Sequence, residues 1–202
     1  MNKPFAESSE QNKQVISQVL QKLFTAPGDV LEIGSGTGQH AVHFTQQMPH
    51  LIWHPSDCAD QIPGMTLWFN EVTHQRIRQP LILDVNQTWP PTLFDYIFTA
   101  NTLHIVSWMA VQALFAGADK VLKQGGLFAQ YGPFNYDGQY TSDSNARFDM
   151  WLKERDPQSG IRHFEELEKL AKQNNMMLHS DHEMPVNNRV LVWQKIASGS
   201  AE

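Results

Sequence analysis

Val30-Leu31-Glu32-Ile33-Gly34-Ser35-Gly36-Thr37-Gly38 is the stretch that decides how this chain is read. A short run with β-branched residues, Asp29 to Ile33, flows into three glycines at alternate positions. An apolar run of that length bounded by glycine reads as a buried strand. The glycines permit left-handed backbone and let a ligand lie against bare main chain. Gly38 to Met48 then suits a helix, whose first turn offers unpaired N–H groups at the same place. A dinucleotide-binding fold also begins this way, so the spacing matters. Its fingerprint wants glycines at the first, third and sixth positions. Here the third glycine comes fifth and Gln39 stands sixth. Glu32, inside the strand, is also foreign to that fingerprint.

Outward from this stretch the chain alternates. Val15, Ile16, Val19, Leu20, Leu23 and Phe24 recur at helical spacing between Ser9 and Phe24, and Pro27-Gly28 ends that helix. Further strands are expected at Leu51–Pro55, Pro80–Val85, Asp95–Ala100 and Leu127–Tyr131. Helices are expected at Met65–Gln75, Trp108–Leu122 (closed by Gly125-Gly126), Ser144–Glu154 and Phe164–Asn174. Residues 132–143 read as a polar, glycine-bearing loop. Met177–Met184 and Arg189–Ile196 are separated by only Pro185-Val186-Asn187-Asn188, which favours an antiparallel hairpin. The pattern predicts an α/β fold: a doubly wound, seven-stranded, mostly parallel sheet with a C-terminal antiparallel hairpin. In such sheets ligands bind at the carboxyl ends of the strands, near the point where strand order reverses.

Composition is consistent with this. The 202 residues include 41% apolar and 10% aromatic side chains, which excludes a mainly disordered chain. We expect one domain over 1–202, with 1–27 as an N-terminal helical cap and 197–202 as a frayed tail. Lys plus Arg is 15 and Asp plus Glu is 21, a net charge of −6 that argues against wrapping nucleic acid. No apolar run reaches the roughly 18 residues of a membrane span. The start lacks the apolar core of a signal peptide, and Cys58 is the single cysteine. A cytoplasmic monomer or homodimer is expected, without membrane or nucleic-acid partners. His40 and His43, and His179 and His182, are spaced by three but lack carboxylate or cysteine partners at ligand spacing, so no metal site is expected. Cys58 reads as a small packed residue.

An acidic residue near the end of the first strand, followed by G-x-G-x-G, resembles motif I of class I S-adenosylmethionine-dependent methyltransferases. Leu31 to Val42, His54-Pro55-Ser56-Asp57, Tyr131-Gly132-Pro133-Phe134 and Glu183 to Asn188 further resemble the DUF938, or methyltransferase-like 26, family. The resemblance covers about residues 5 to 196 and brings no established substrate. It implies that S-adenosylmethionine is the cofactor. Gly34, Ser35, Gly36 and Gly38 would then pack against its methionine part, with Glu32 bracing the loop. Asp57 would hold the ribose hydroxyls, although it lies somewhat farther along the chain than usual; Asp60 is the alternative. Asp84 and the Val85 N–H would meet the adenine. Asn101 would border cofactor and acceptor. Phe5 and Asn12 would help close the site from above; Gln11 stands where the family pattern carries arginine.

Each role has a structural rival. The glycines can serve a tight turn alone, Asp57 an N-cap and Asp84 a surface loop. Methyl transfer is an in-line displacement at an already activated methyl group, so alignment and exclusion of water are the main requirements. A base is needed where the acceptor must lose a proton. His104, just past the fourth expected strand, is the candidate, its rival role being a helix-start residue bonded to backbone. Tyr131 and Asn135 are candidates to hydrogen-bond a small-molecule acceptor, and Trp68, Phe69, Trp108, Phe134 and Trp151 to wall it. A non-catalytic module that binds the same cofactor, and an NAD-linked oxidoreductase, are the competing functions.

Overall fold

Three parallel strands place the site. β1 (Gly28–Ile33) lies between β2 (Leu51–Asp57) and β4 (Phe94–Ala100), and Ile33 is level with both Ser56 and Thr99. Their carboxyl ends therefore open on one edge, with Gly34, Cys58 and Asn101 next along the chain. The computed structural model describes residues 2–197. Among them, β3 (Leu81–Ile82), β5 (Leu122–Gly132), β8 (Met176–Met184) and β9 (Asn188–Lys195) complete a seven-stranded sheet in the order β3-β2-β1-β4-β5-β9-β8. β9 runs antiparallel to both β5 and β8, as the expected hairpin requires, and every other pairing in this sheet is parallel. The strand order reverses about β1, so the glycine loop sits at the switch point.

Side chains alternate across the sheet. Leu31, Ile33, Ile97, Phe128, Leu191 and Trp193 pack on one face beneath α4 (Trp108–Val121) and α6 (Phe164–Gln173). Val30, Trp53, Phe98, Ala129 and Val192 pack on the other beneath α1 (Glu7–Leu23) and α2 (Gln39–Gln47). Ile16 and Leu20 of α1, with Phe24 just beyond, are wholly buried, each worth ~1.5–3 kcal/mol. Ser107 caps α4 by accepting from the Ala110 N–H, and Ser142 caps α5 (Asp143–Arg155) by accepting from that of Asn145.

Some elements differ from the sequence expectation, each for a local reason. The helix expected at Met65–Gln75 is α3, Ile62–Phe69. Beyond it the Trp53 N–H donates to the Arg76 carbonyl and the Arg78 N–H to that of Trp53, so the chain is drawn alongside β2 instead. β3 is only two residues, because Asp84 takes the Asn86 N–H and turns the chain away. Gly125-Gly126 does not close α4, which ends at Val121. The pair lies inside β5 beside a register shift, where a Cβ on Gly126 would stand 2.7 Å from the Asp95 carbonyl. The loop 132–143 holds a short strand, β6 (Phe134–Asn135), paired in parallel with β7 (Arg162–His163). Cys58 is exposed, not packed. The expected tail lies, from residue 198 on, outside the described residues. No helix among those residues is long and apolar enough to cross a membrane.

Candidate functional site

The three glycines of the loop have different reasons to be glycine. All are left-handed, at φ 72°, 54° and 85° for Gly34, Gly36 and Gly38. A Cβ on Gly34 would stand 2.7 Å from Thr102 Oγ1, and one on Gly38 would stand 2.8 Å from the Phe69 ring. Those two are demanded by packing. A Cβ on Gly36 would meet nothing within 4 Å. Gly36 thus presents bare backbone to open space, the feature expected of a ligand cradle.

The loop is pinned from beneath. Gly34 and Ser35 N–H both donate to the Ser56 carbonyl at 3.0 Å, and the Ser56 hydroxyl donates to the Glu32 carbonyl at 2.6 Å. The Glu32 carboxylate accepts from Trp53 Nε1 at 2.9 Å. Burial raises the Glu32 pKa to about 7, against the lowering effect of the Trp53 and Ser35 hydrogen bonds. His40 lies 3.9 Å away and is itself pushed down to about 3 by burial. Its Nε2 donates to Asn12 Oδ1 at 2.7 Å, tying α2 to α1.

At the lip, Asp57 accepts the Gly36 N–H at 2.7 Å on one oxygen and the Cys58 N–H at 2.8 Å on the other. Each oxygen keeps a free lone pair. Burial raises its pKa, partly offset by those two donors. Asp60 is exposed and turned to Gln61. Asp84 is closed into its own turn, accepting from the Asn86 N–H and from the Asn86 and Gln87 side chains. Those donors hold its pKa below the usual value, the Asn86 N–H foremost. Val85 packs on the core beside it.

The N-terminal segment is fastened across α2 and the α3 region as a cover beside the loop. Trp68 Nε1 donates to the Pro4 carbonyl at 2.7 Å, and Lys3 pairs with Glu71 at 2.6 Å. The Ala6 N–H donates to Gln39 Oε1 at 2.7 Å, and Gln39 Nε2 donates to Glu10 at 3.2 Å. The residue that breaks the dinucleotide spacing is therefore a fastening for this cover.

Beside the loop lies a cavity of about 670 Å³. Asn12, Asn101, His104 and Tyr131 all line it. Asn101 is left-handed, at φ 56°, and its N–H donates to the Tyr131 carbonyl. Burial raises the pKa of the Tyr131 hydroxyl, with the side chains of Asn12 and Asn188 acting against that rise. His104 is buried edge-on against Phe148, its rings 5.4 Å apart, and burial lowers its pKa to about 4, with Arg162 adding to the effect. The imidazole is neutral at physiological pH.

Other expected residues lie elsewhere. Asn135, on β6, is buried away from this lining, and its Oδ1 has no partner. Phe5 is 57% exposed over Trp68 and does not reach the cavity. Of the expected aromatic wall only Trp151 lines it; Phe69 packs on Gly38, Phe134 and Trp108 on the core, and Trp68 holds the cover. Sequence reasoning missed Ser144, Asn145 and Phe148 on α5 and the turn Pro185–Asn188. One signal was available: Val186 and Asn187 form a left-handed turn in the quoted stretch Glu183 to Asn188. Val186 stands at φ 61°, unusual for a β-branched residue, and Asn145 Nδ2 fastens the turn by donating to the Asn187 carbonyl at 3.1 Å. Among the described residues no group of three or more His, Cys, Asp or Glu is arranged to hold a metal ion.

Known proteins share this arrangement of strands. The apo S-adenosylmethionine-dependent methyltransferase SibL superposes with a TM-score of 0.79 at 20% identity, over 93% of this chain and 55% of that one. An O-methyltransferase family protein from Burkholderia thailandensis gives 0.81 at 13%, over 94% and 57%. Human N-acetylserotonin methyltransferase in complex with SAM gives 0.80 at 13%, over 94% and 53%. The chain thus spans little more than half the length of these structures, and the likeness at such identities is one of fold, that of the class I methyltransferases. A family model described as a protein of unknown function, DUF938, matches residues 3–195, and the chain belongs to that family.

Proposed function

We propose that this member of the DUF938 family is an S-adenosylmethionine-dependent methyltransferase, one domain with α1 as its cap, acting on a small-molecule acceptor. The observation that supports the reading is Gly36. Its left-handed backbone faces open space, its N–H meets Asp57, and the loop adjoins a cavity whose volume lies within the ~300–1,000 Å³ common for small ligands. The residues present fit the cofactor. The cradle a Cβ would fill receives its methionine part, and the two free lone pairs of Asp57 suit two vicinal hydroxyls. The Val85 N–H is the group left for the adenine end, since Asp84 is closed into its own turn and the Asn86 and Gln87 N–H groups are bonded to it.

When bound, the cofactor supplies a methyl group activated by a sulfonium. The chain's own residues align and shield. The cover fastened by Gln39 and Trp68 shields the α2 and α3 side of the loop. Asn101 and Tyr131, fixed by their backbone bond, line the side of the cavity at the carboxyl ends of β4 and β5 and help to orient an acceptor there. His104, neutral at pH 7, faces that cavity and accepts the proton an acceptor must lose.

Calorimetry with S-adenosylhomocysteine, and separately with NAD, tests the cofactor. Radiolabelled methyl transfer over a metabolite library tests the chemistry. Binding without transfer would leave a cofactor-binding module that acts through a partner, and NAD binding in place of S-adenosylhomocysteine would overturn the reading.

A further inference from the structure

The lining of the cavity beside the glycine loop narrows the acceptor, and the argument rests on the methyltransferase reading above. The chain is 18% Asp, Glu, Lys and Arg, yet none of the lining residues is any of these. Two arginines stand outside the lining. Arg162 donates to the carbonyls of Leu103, Val106 and Gln158, and Arg155 rests on the Trp151 ring outside the lining. A carboxylate, phosphate or ammonium entering here would shed water and find no charged side chain in the lining.

What the cavity offers is sorted by depth. The buried end carries His104, Tyr131, Asn12 and Asn145, all hydrogen-bonding groups without charge. The mouth carries Ile105, Trp151 and Val186, exposed by 50%, 46% and 80%. Between them the Phe148 and Trp151 rings lie 5.8 Å apart and only 19° from parallel, a surface against which a flat apolar body packs.

We infer that the acceptor is an uncharged ring compound bearing a hydroxyl, its ring against Phe148 and Trp151 and its oxygen at the His104 end. Alkylamines are disfavoured because they arrive protonated and would need an anion. The transfer balances on these groups. The acceptor oxygen forms a bond to the methyl carbon, the methyl–sulfur bond breaks, and its electron pair returns to sulfur as a neutral thioether. The hydroxyl proton passes to a His104 ring nitrogen and from there to water.

The test uses the full chain and three probes with one fused ring: 1-naphthol, 1-naphthoate and protonated 1-naphthylmethylamine, titrated calorimetrically with and without saturating S-adenosylhomocysteine. Naphthol is expected to bind at least ~10-fold more tightly than either charged probe, and its oxygen to be methylated with radiolabelled S-adenosylmethionine. Trp151→Ala and Phe148→Ala should each weaken naphthol at least ~10-fold while S-adenosylhomocysteine binds as before; Trp151 is half exposed, so that variant is expected to fold. Equal or tighter binding of a charged probe, no binding of naphthol, or indifference to both variants would overturn the inference with the methyltransferase reading intact. Failure to bind S-adenosylhomocysteine would instead remove that reading, while the order of the probes without it still decides the chemistry of the cavity.

Discussion

Replacing each loop glycine by alanine separates cofactor binding from turn geometry. All three positions are left-handed, and an L side chain there costs roughly 1–2 kcal/mol. At Gly36 nothing lies within 4 Å of the new methyl, so that strain is the whole stability cost. For a domain of this size it lowers Tm by ~2–8 °C. At Gly34 the methyl meets Thr102 Oγ1 at 2.7 Å, and that hydroxyl is held by Thr99 Oγ1 at 2.8 Å and cannot simply withdraw. At Gly38 it meets the Phe69 ring at 2.8 Å and Met65 Cβ at 3.0 Å. Overpacking of this kind adds ~1–3 kcal/mol, so both variants should be distinctly less stable than Gly36→Ala. Affinity should follow the opposite order. Gly36→Ala puts its methyl where the ligand lies and should weaken S-adenosylhomocysteine at least ~10-fold, and Gly36→Val should bring binding below detection. Thermal unfolding and calorimetry on the same preparations give both readouts. Wild-type affinity in Gly36→Ala would refute the cradle, and a Gly36→Ala as unstable as Gly34→Ala would refute the assignment of open space.

Asp57→Asn should weaken S-adenosylhomocysteine by ~1.5–3 kcal/mol in calorimetry and Asp60→Asn by far less; the reverse order would move the ribose role to Asp60. His104→Gln should leave cofactor affinity intact and cut turnover of an identified acceptor at least ~10²-fold. With the His104 pKa lowered to about 4, the wild-type rate should stay level above about pH 5 and fall near 4; an inflection near 6.5 would place the base elsewhere. Glu32 has its folded pKa raised from 4.5 to about 7, so the folded state keeps a proton that the unfolded chain releases, and stability present below pH 4.5 is lost as pH rises to 7. Glu32→Gln should therefore gain up to about 3 kcal/mol on wild type between pH 4.5 and 8 in urea unfolding, and a pH-independent difference would contradict the burial argument. The Ala6 amide should exchange with solvent far faster than that of Ile16, and equal protection would show that cover and helix open together.

The fold was legible because its signals are local and repeated: apolar runs bounded by glycine and proline, and helices whose apolar faces recur every three to four residues. Motif I gave the loop, and the order of the strands gave Asp57, Asn101 and His104 a common edge. Expectations went wrong where a distant partner overrode a local pattern. The end of the expected third helix was captured by Trp53, and Gly125-Gly126, which looks like a helix stop, serves a strand fitted against Asp95. β6 and β7 are two residues each, too short for any periodicity to show. The cavity was the least legible part. Its walls come from α1, the loop after β4, the end of β5, α5 and the turn 185–187, and no spacing in the sequence announces that Asn145 will meet the Asn187 carbonyl. Asn135 is near Tyr131 in sequence, but it belongs to β6 of a second small sheet and is buried away from the cavity lining.

The two ends of the cap are held by different forces. Ile16, Leu20 and Phe24 fix the second half of α1 through burial worth ~1.5–3 kcal/mol each, a sum that fluctuations seldom overcome. The segment before Glu7 rests on a few hydrogen bonds: Trp68 Nε1 to the Pro4 carbonyl, the Ala6 N–H to Gln39 and the partly exposed Lys3–Glu71 pair. Each is worth ~0.5–1.5 kcal/mol at most, because water replaces the lost partner. Lifting that segment would leave Asn12 in place, which α1 keeps bonded to His40 on the glycine-loop side while it lines the cavity. The helical part of the N-terminal region is thus the part that borders the cavity, and the segment before it the part held least firmly.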